Sequence, residues 1–331
     1  MKVLVTGGTG FIGSHLVDRL VEANHNVLVP VRKESNIKWL PSRGVDVKEV
    51  DLLDLEAVKG LLKGIDVVFH LASIRGMGWS FENKEVHRVN VGITENLLKV
   101  SSTKKVKHYI YVSSVSVYGH SDSGPIDENY PYSPVTRYGK TKYESEMLVE
   151  GFYREDRLPI TIIRPVITYG PRDTWGMIVK LIRLINSGKY LTVGSGENRV
   201  HLVYIDDLID GLISVLKNPI AIGKTYILAG EIPITINKLV GIIASLLNRN
   251  VPSLHIPIWL AGLTGLILER LYRAISIRKE PFITRDKVNI MTRDRSFNIG
   301  KAMRELGYTP GVSYEEGLKK TVDWIRCERL I

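Results

Sequence analysis

Short runs of β-branched and other apolar residues alternate with longer amphipathic segments over the first two-thirds of the chain. Such runs predict strands with both faces covered, and the segments between them predict the covering helices. The predicted strands are Val3–Thr6, Asn26–Val31, Asp46–Val50, Val67–His70, His108–Val112 and Ile160–Arg164. The predicted helices lie near Ile12–Glu22, Leu55–Leu62, Glu85–Val100 and Gly139–Tyr153. This alternation is typical of an α/β fold with a doubly wound parallel sheet.

The regular alternation weakens after Pro165. The further elements predicted there are a helix near Met177–Ser187, a strand near Leu202–Ile205, a helix from Asp207, a strand at Tyr226–Leu228, and mostly helical sequence from Ile234 that ends with Tyr314–Arg326. We therefore predict two domains with an interleaved boundary. The larger comprises residues 1–165, to which residues 200–230 return, and the smaller, mostly helical C-terminal domain comprises 166–199 and 231–331.

Composition is that of an ordinary globular protein, with 44% hydrophobic and 24% charged residues among 331. The net charge of +10 favours an anionic ligand, an anionic substrate or a membrane surface, although the charges are scattered along the chain. Basic residues are not interleaved with aromatic ones, so we expect no nucleic-acid groove. Cys327 is the only cysteine, which excludes an intrachain disulfide and a thiolate metal cluster, and we predict no metal site.

Strand-like sequence begins at Lys2, which leaves no room for a signal peptide, and we therefore expect a cytoplasmic protein. The longest apolar stretch, Ile256–Leu268, is shorter than the roughly 20 residues that span a bilayer. Apolar residues from Ile258 to Ile275 recur at helical spacing. Four basic residues lie near or just after the end of this segment, namely Arg270, Arg273, Arg278 and Lys279. Two interpretations stay open for residues 258–279: a core helix of the C-terminal domain, or a peripheral contact with a membrane near a lipid-like substrate.

A glycine-rich turn directly follows the first predicted strand and opens the first predicted helix. It reads Thr6-Gly7-Gly8-Thr9-Gly10-Phe11-Ile12-Gly13. Gly7 permits the tight turn, Gly10 lets the backbone approach a pyrophosphate, and Gly13 allows close packing of the helix on the strand. The helix start supplies free N–H groups and a positive dipole end to the phosphates. This context predicts a Rossmann-type dinucleotide site in the larger domain and leaves the smaller one for substrate.

The end of the second predicted strand lacks the acidic residue that would hold an adenosine ribose 2′-hydroxyl. Arg32 and Lys33 stand there instead and suit a 2′-phosphate, so we favour NADP over NAD as the cofactor. Other predicted contacts lie at carboxyl ends of strands, where ligands bind in such sheets: Asp51 and Leu52 at the adenine, and Leu71, Ala72 and Ser73 along the ribose and pyrophosphate. His70 is interpreted as a packed strand residue.

Tyr138 and Lys142 are four residues apart on a predicted helix and so share one face, and Ser114 follows a predicted strand. A tyrosine pKa near 10 must fall by about three units for the side chain to act as a base near neutrality. A lysine ammonium and an oxidised nicotinamide both favour the phenolate. Tyr138 is therefore the candidate acid and base for hydride transfer, and Ser114 the hydrogen-bond donor to the reacting oxygen.

With these pieces the chain resembles an extended short-chain dehydrogenase/reductase, of the NAD-dependent epimerase/dehydratase family, over nearly its whole length. The matching segments are Thr6–Gly13, Phe69–Ala72, Val112–Gly119, Tyr138–Lys142, Arg164–Pro171 and Tyr204–Leu208. The resemblance implies that Ser114 rather than Ser113 is the active serine and that Lys142 binds the nicotinamide ribose. It also implies a cofactor-site role for Asn90, the family's structural asparagine, and for Pro165, which resembles the segment beside the nicotinamide carboxamide.

Within the family, three positions differ from enzymes that act on nucleotide sugars. Ile167 stands where sugar epimerases commonly carry asparagine. Val200 occupies the position of their diphosphate-binding arginine, and the neighbouring Arg199 would point elsewhere on a strand. The residues after Ser114 are Val115-Ser116, where sugar dehydratases place an Asp-Glu pair.

The C-terminal segments Glu280–Arg285 and Phe297–Pro310 are similar to those of 3β-hydroxysteroid dehydrogenase and dihydroflavonol reductase relatives. The leading hypothesis is therefore an NAD(P)-dependent oxidoreductase that interconverts a secondary alcohol and a ketone on an apolar ring-type small molecule. The alternative is a nucleotide-sugar 4-epimerase with tightly bound NAD, and a third hypothesis is a non-catalytic NADP-binding sensor. By the same resemblance we expect a homodimer.

Overall fold

The computed structural model describes residues 1–74, 83–119, 124–251, 254–275, 281, 283–285, 288 and 292–331. The strands in these residues are β1 (Lys2–Thr6), β2 (Asn26–Val31), β3 (Val45–Glu49), β4 (Val67–His70), β5 (His108–Val112), β6 (Ile160–Pro165), β7 (Ile167–Tyr169), β8 (Thr192–Val193), β9 (Arg199–Val200), β10 (Leu202–Tyr204), β11 (Lys224–Leu228), β12 (Ile234–Thr235) and β13 (His255–Ile256).

The helices follow the strands in the order that the amphipathic segments predict. They are α1 (Phe11–Glu22), α2 (Leu55–Leu61), α3 (Asn83–His87), α4 (Ile93–Thr103), α5 (Arg137–Glu155), α6 (Met177–Asn186), α7 (Ile205–Lys217), α8 (Ile236–Leu246), α9 (Ile258–Ala274), α10 (Gly300–Leu306) and α11 (Tyr314–Cys327). A π-helical turn at Arg88–Gly92 joins α3 to α4, and 3₁₀ turns lie at Val115–Val117 and Pro219–Ala221.

Within the described residues, one sheet of seven strands has the order β3-β2-β1-β4-β5-β6-β11, and every neighbouring pair is parallel. Chain order reverses between β1 and β4, which are neighbours in the centre of the sheet. Ligands of such sheets bind at the carboxyl ends of the strands beside this reversal. The topology therefore brings together the glycine turn after β1, the segment after β4 and the segment after β5.

Alternate side chains of each central strand enter two separate hydrophobic cores. In β1, Val3 and Val5 pack with Leu16 of α1, whereas Leu4 packs on the opposite face with Leu97 of α4. All five of these side chains are fully buried. Burial on both faces explains why the strands read as unbroken apolar runs, and it confirms the doubly wound α/β fold predicted from them.

The predicted single helix at Glu85–Val100 is in fact interrupted. The π-helical turn adds one residue to the turn around Asn90, which is 2% exposed. Its Oδ1 accepts a hydrogen bond from the Ile74 N–H, and its Nδ2 donates to the Ile74 carbonyl and to the Thr141 hydroxyl. These contacts offset the lost regular helix bonding, and periodicity alone gives no sign of them.

The segment after Pro165 contributes to both the large sheet and smaller structures. β11 pairs with β6 at the edge of the large sheet, while β7 with β10, β8 with β13, and β9 with β12 form two-stranded sheets. The domain boundaries at 165, 200 and 230 stay a prediction. Among the described helices, none is long and apolar enough to cross a bilayer.

Candidate active site

A cleft of about 1820 Å³ opens at the carboxyl ends of β1, β4, β5 and β6. All the predicted site residues except Asn90 line it: Gly7, Gly10, Phe11, Ile12, Gly13, Arg32, Lys33, Asp51, Leu52, Leu71, Ala72, Ser73, Ser114, Tyr138, Lys142 and Pro165. Asn90 lies behind the wall and fixes Ile74 and α5 through its amide. These contacts agree with its description as a structural asparagine, and its predicted role at the cofactor stays a prediction.

The glycine turn is tightly packed against its neighbours, as a predicted pyrophosphate-binding turn requires. Gly7 has φ of +72°, and a Cβ atom there would lie 2.9 Å from the Ala72 nitrogen. A Cβ atom at Gly13 would lie 2.1 Å from the Gly7 carbonyl oxygen. The close contact at Gly13 thus lies against the turn itself, whereas the sequence predicted packing against the strand. No side chain caps α1, so its first N–H groups are left for an anion.

The adenosine end of the cleft is basic. Arg32 and Lys33 are exposed, and neither forms an ion pair with any residue in the described ranges. The loop after them is anchored to the C-terminal helix, because the Lys38 ammonium lies 2.8 Å from the Glu328 carboxylate. Asp51 accepts a hydrogen bond from the Leu53 N–H at the cleft edge, and its contact with adenine stays a prediction.

The end of β4 is held against the glycine turn through His70, which is fully buried. The His70 ring lies within hydrogen-bond distance of the Thr6 hydroxyl at 2.8 Å and the Thr94 hydroxyl at 2.9 Å. Burial lowers the pKa of His70 well below its ordinary value, and Lys142 lowers it further. A neutral, doubly hydrogen-bonded ring fits its predicted role as a packed strand residue.

Tyr138, Lys142 and Ser114 all line the cleft. Lys142 is 1% exposed, and its ammonium donates to the Val112 carbonyl at 2.8 Å and lies 5.8 Å from the centroid of the Tyr138 ring. Ser114 lies just after β5, and its hydroxyl accepts a hydrogen bond from the Ser116 N–H. Ser113 is buried, whereas Ser114 is half-buried on the cleft wall. The cleft therefore carries a phenol, a nearby cation and a hydroxyl, the groups that a proton transfer with a stabilised oxygen requires.

Gly139 makes this arrangement possible, and sequence reasoning missed it. A Cβ atom at residue 139 would lie 2.3 Å from the Ser116 carbonyl oxygen. The start of α5 can therefore press directly onto the turn that carries Ser114. Glycine weakens a helix, so its presence at position 139, between Tyr138 and Lys142, is the sequence signal that would have indicated a close backbone contact there.

A buried ion pair behind the site was also missed. The Arg164 side chain is 2% exposed and Glu146 is fully buried, and the Arg164 Nε donates to the Glu146 carboxylate at 3.0 Å. The same guanidinium donates to the hydroxyls of Tyr118 and Tyr132. Glu146 lies one turn beyond Lys142 on α5, and Arg164 immediately precedes Pro165. The pair therefore locks the helix that carries the candidate acid–base residues onto β6.

The far end of the cleft is lined by residues of the C-terminal segments, among them Glu269, Arg285 and Arg295. Arg285 is paired with Glu269, but the Nε of Arg295 is buried without a hydrogen-bond partner. Among the described residues, Arg295 has no carboxylate within ion-pair distance, and burial lowers the pKa of its guanidinium. Residue 295 forms a β-bridge with Val200, so this arginine enters the cleft beside the position where the sequence lacks one.

The side chains of Val200 and Arg199 on β9 lie as the sequence predicted. Val200 is 3% exposed and belongs to the hydrophobic core. Arg199 is exposed, and its backbone N–H donates to the Asp294 carboxylate. Neither residue takes the place of a diphosphate-binding arginine from that strand.

Comparisons with known proteins give one family and several activities. The chain is 28% identical to the N-acetyl-α-D-glucosaminyl-diphospho-ditrans,octacis-undecaprenol 4-epimerase of Escherichia coli O157:H7, covering 98% of this chain and 95% of the relative. It is 29% identical to the 2-alkyl-3-oxoalkanoate reductase of Stenotrophomonas maltophilia, covering 97% and 98%. The crystal structure of the UDP-glucuronic acid 4-epimerase from Bacillus cereus, in complex with UDP-glucuronic acid and NAD, superposes with a TM-score of 0.80 at 27% identity, covering 99% and 100%.

These matches confirm the resemblance to extended short-chain dehydrogenases/reductases, the enzyme class and the use of a nicotinamide dinucleotide. The preference for NADP, the cytoplasmic location and the homodimer stay predictions. The family's sequence pattern matches residues 3–229, which is more than half of the chain. The chain therefore belongs to the NAD-dependent epimerase/dehydratase family.

Proposed function

We propose that the chain is an NAD-dependent 4-epimerase whose substrate is a sugar linked to a diphosphate. The observation that carries this proposal is Arg295, an arginine without an ion-pair partner among the described residues, in the same cleft as Ser114 and Tyr138. The two epimerases above act on diphosphate-linked sugars by their names, and they support this function better than the leading hypothesis of an alcohol dehydrogenase. With Ser114, Tyr138 and Lys142 all lining the cleft, little speaks for the non-catalytic sensor.

The residues of the cleft supply what such a reaction needs. The glycine turn would hold NAD, which would supply a hydride acceptor that can also return the hydride. Tyr138 takes the proton of the sugar hydroxyl as the carbinol carbon is oxidised, and it returns that proton when the ketone is reduced from its other face. Ser114 donates a hydrogen bond to the reacting oxygen, and the Lys142 ammonium favours the Tyr138 phenolate. One stereocentre is inverted and no external reductant is consumed.

Arg295 gives the substrate end of the cleft its affinity for anions. The Nε of Arg295 is buried although the residue as a whole is partly exposed, and a phosphate oxygen would supply both a counter-charge and a hydrogen-bond acceptor for Nε. The position compensates for Val200 on the neighbouring strand. Arg295 and Tyr138 line the same cleft, so one substrate could contact both.

The experiment that tests the proposal is turnover of diphosphate-linked sugars. We expect purified protein to retain NAD, seen in its ultraviolet absorbance. We also expect it to equilibrate UDP-N-acetylglucosamine, UDP-glucose or a polyprenyl-diphosphate N-acetylglucosamine with the 4-epimer, measured by NMR without added reductant. Net reduction of keto-steroid or keto-isoprenoid substrates with NADPH, and no epimer from any of these sugars, would contradict the proposal.

Replacing Arg295 with methionine is expected to raise KM for a diphosphate-linked sugar about 10- to 100-fold, because one charge-assisted hydrogen bond is lost. The matched control is Arg199→Met. Arg199 is exposed, and its backbone carbonyl accepts a hydrogen bond from the Arg295 N–H. The control variant should keep the KM of the unmodified enzyme. An unchanged KM in Arg295→Met would show that the diphosphate binds elsewhere.

A second candidate, an NADP-dependent alcohol/ketone oxidoreductase, is favoured by one observation, the exposed Arg32 and Lys33 after β2. If these side chains hold a 2′-phosphate, Arg32→Gln should weaken NADP binding about 10- to 100-fold and leave NAD binding unchanged. Calorimetric titration of both dinucleotides measures this difference, with Arg43→Gln as an exposed basic control outside the cleft lining. Equal loss for NAD and NADP, or no loss, would remove this candidate's main support.

A further inference from the structure

The amphipathic character of α9 is inverted. Its buried positions, Ala261, Gly265 and Glu269, are small or charged. Its exposed positions form a row of large apolar side chains, the α9 apolar face: Trp259, Leu260, Leu263, Ile267, Leu271 and, just past the helix end, Ile275, which are between 40% and 70% exposed. A helix of a globular protein normally directs its apolar stripe inward. The face therefore needs a covering surface.

The orientation of α9 is fixed by its buried side. A Cβ atom at Gly265 would lie 3.0 Å from the Arg285 nitrogen, so the helix packs directly on that backbone. Glu269 accepts a hydrogen bond from the Arg285 N–H at 2.8 Å and pairs with the Arg285 guanidinium at 3.0 Å. Rotating the helix to hide its apolar face would break these contacts and expose a small-residue groove.

The exposed apolar surface continues beyond α9. β13, which leads into the helix, pairs with β8, and Ile258 contacts Gly194 just after β8. The segments that carry these strands expose further large apolar side chains, namely Leu191, Val251 and Leu254, at 40% to 62%. The apolar surface is thus formed by a helix together with the two short strands that support it.

The charges in the segments around the α9 apolar face indicate which kind of surface covers it. Within the described residues of 186–194 and 249–275, Glu269 is the only acidic side chain, and it is buried in its ion pair. The same segments expose Lys189, Arg249 and Arg270. A second copy of the chain would bring these like charges together across a two-fold interface. An anionic lipid surface complements both the cations and the apolar row.

We propose that the α9 apolar face docks on the surface of an anionic phospholipid bilayer, with α9 lying in the plane of the interface. The helix has 17 residues and, like the other described helices, does not meet the length and hydropathy of a membrane span. Arg278 and Lys279, which the sequence included in this contact, and the side chain of Arg273 lie outside the described residues. Glu269 lines the cleft from the opposite side of α9, so docking brings the substrate end of the cleft close to the bilayer.

Vesicle binding of the purified full chain tests the proposal independently of any reaction. The probes are vesicles of pure phosphatidylcholine and vesicles of phosphatidylcholine with 30% phosphatidylglycerol. We expect the chain to bind the anionic vesicles about 10-fold more strongly than the neutral ones. We expect Leu263→Asp/Ile267→Asp to reduce sedimentation with the anionic vesicles at least about 10-fold. Ile220→Asp/Ile232→Asp, at two comparably exposed positions outside the face, should bind like the unmodified chain.

Circular dichroism and NAD binding establish that both variants are folded, as expected for substitutions at exposed positions. A blue shift of tryptophan fluorescence on adding anionic vesicles, lost in Trp259→Phe, should accompany binding. Absence of binding to anionic vesicles, or equal binding by the Asp variant, would overturn the proposal. So would a dimer in solution that Leu263→Asp/Ile267→Asp dissociates while vesicles bind neither form, because the face would then join two copies. Failure of the epimerase assay alone would leave the vesicle result unaffected.

Discussion

Replacing Tyr138 with phenylalanine is expected to lower kcat about 10³-fold, because the change removes the group that carries the proton to and from the reacting oxygen. Lys142 lies 5.8 Å from the ring centroid and donates to the Val112 carbonyl, so the lysine keeps its place without the hydroxyl. NAD should still bind, and the loss should fall on kcat rather than on KM for the sugar. Epimer formation followed by NMR and dinucleotide content by absorbance measure the two effects.

Tyr153→Phe provides the matched control for this variant. Tyr153 lies on the same helix, α5, but four turns further along, where its ring contacts Gly223. The same chemical change there should leave turnover unaltered. If Tyr138→Phe retained turnover within a few-fold of the unmodified enzyme, another group would have to serve as acid and base.

Replacing Glu146 with glutamine is expected to lower the free energy of unfolding by about 3–5 kcal/mol, because the Arg164 charge is left buried without its partner. The pair is 2% and 0% exposed, so solvent does little to screen the loss. The nearby Tyr118 hydroxyl offers no replacement charge, since burial raises its pKa to about 12. Urea denaturation followed by circular dichroism measures the change.

Two further variants give that result its meaning. Glu150→Gln, one turn further along α5, removes a carboxylate that is 30% exposed and should cost less than about 1 kcal/mol. The double variant Glu146→Leu/Arg164→Met should be more stable than the sum of its single changes predicts, because no uncompensated charge remains. A cost below 1 kcal/mol for Glu146→Gln would mean that solvent reaches the pair.

The strands of the large sheet could be predicted from the sequence almost residue by residue. Asn26–Val31, Val67–His70 and His108–Val112 match the structure at both ends. They lie in a sheet that is buried on both faces, so apolar runs and strand limits coincide. Prediction was weaker where a contact between distant residues sets the local conformation, as at the π-helical turn that places Asn90.

That the predicted dinucleotide contacts line one cleft was predictable for a similar reason. Its residues follow strands whose carboxyl ends must meet at one edge of the sheet, so spacing along the chain translates directly into proximity. The other end of the cleft draws on residues 269, 285 and 295, which come from separate segments with no shared periodicity. From the sequence, the absence of an arginine at position 200 counted against a diphosphate-linked sugar as substrate. In the structure, a β-bridge places Arg295 beside Val200.

The sequence by itself determined the doubly wound sheet, the glycine turn and the shared face of Tyr138 and Lys142. Each of these depends on local periodicity or on the fixed geometry of a strand followed by a helix. Only the tertiary structure decided that Glu146 and Arg164 pair behind the site, that Arg295 enters the cleft, and that α9 turns its apolar side outward. Those features depend on which side chains distant in sequence pack against one another and which surfaces stay exposed. The apolar spacing of α9 is the same for a core helix and a membrane-facing one, and the anchoring of Glu269 to Arg285 decides which side of the helix is exposed.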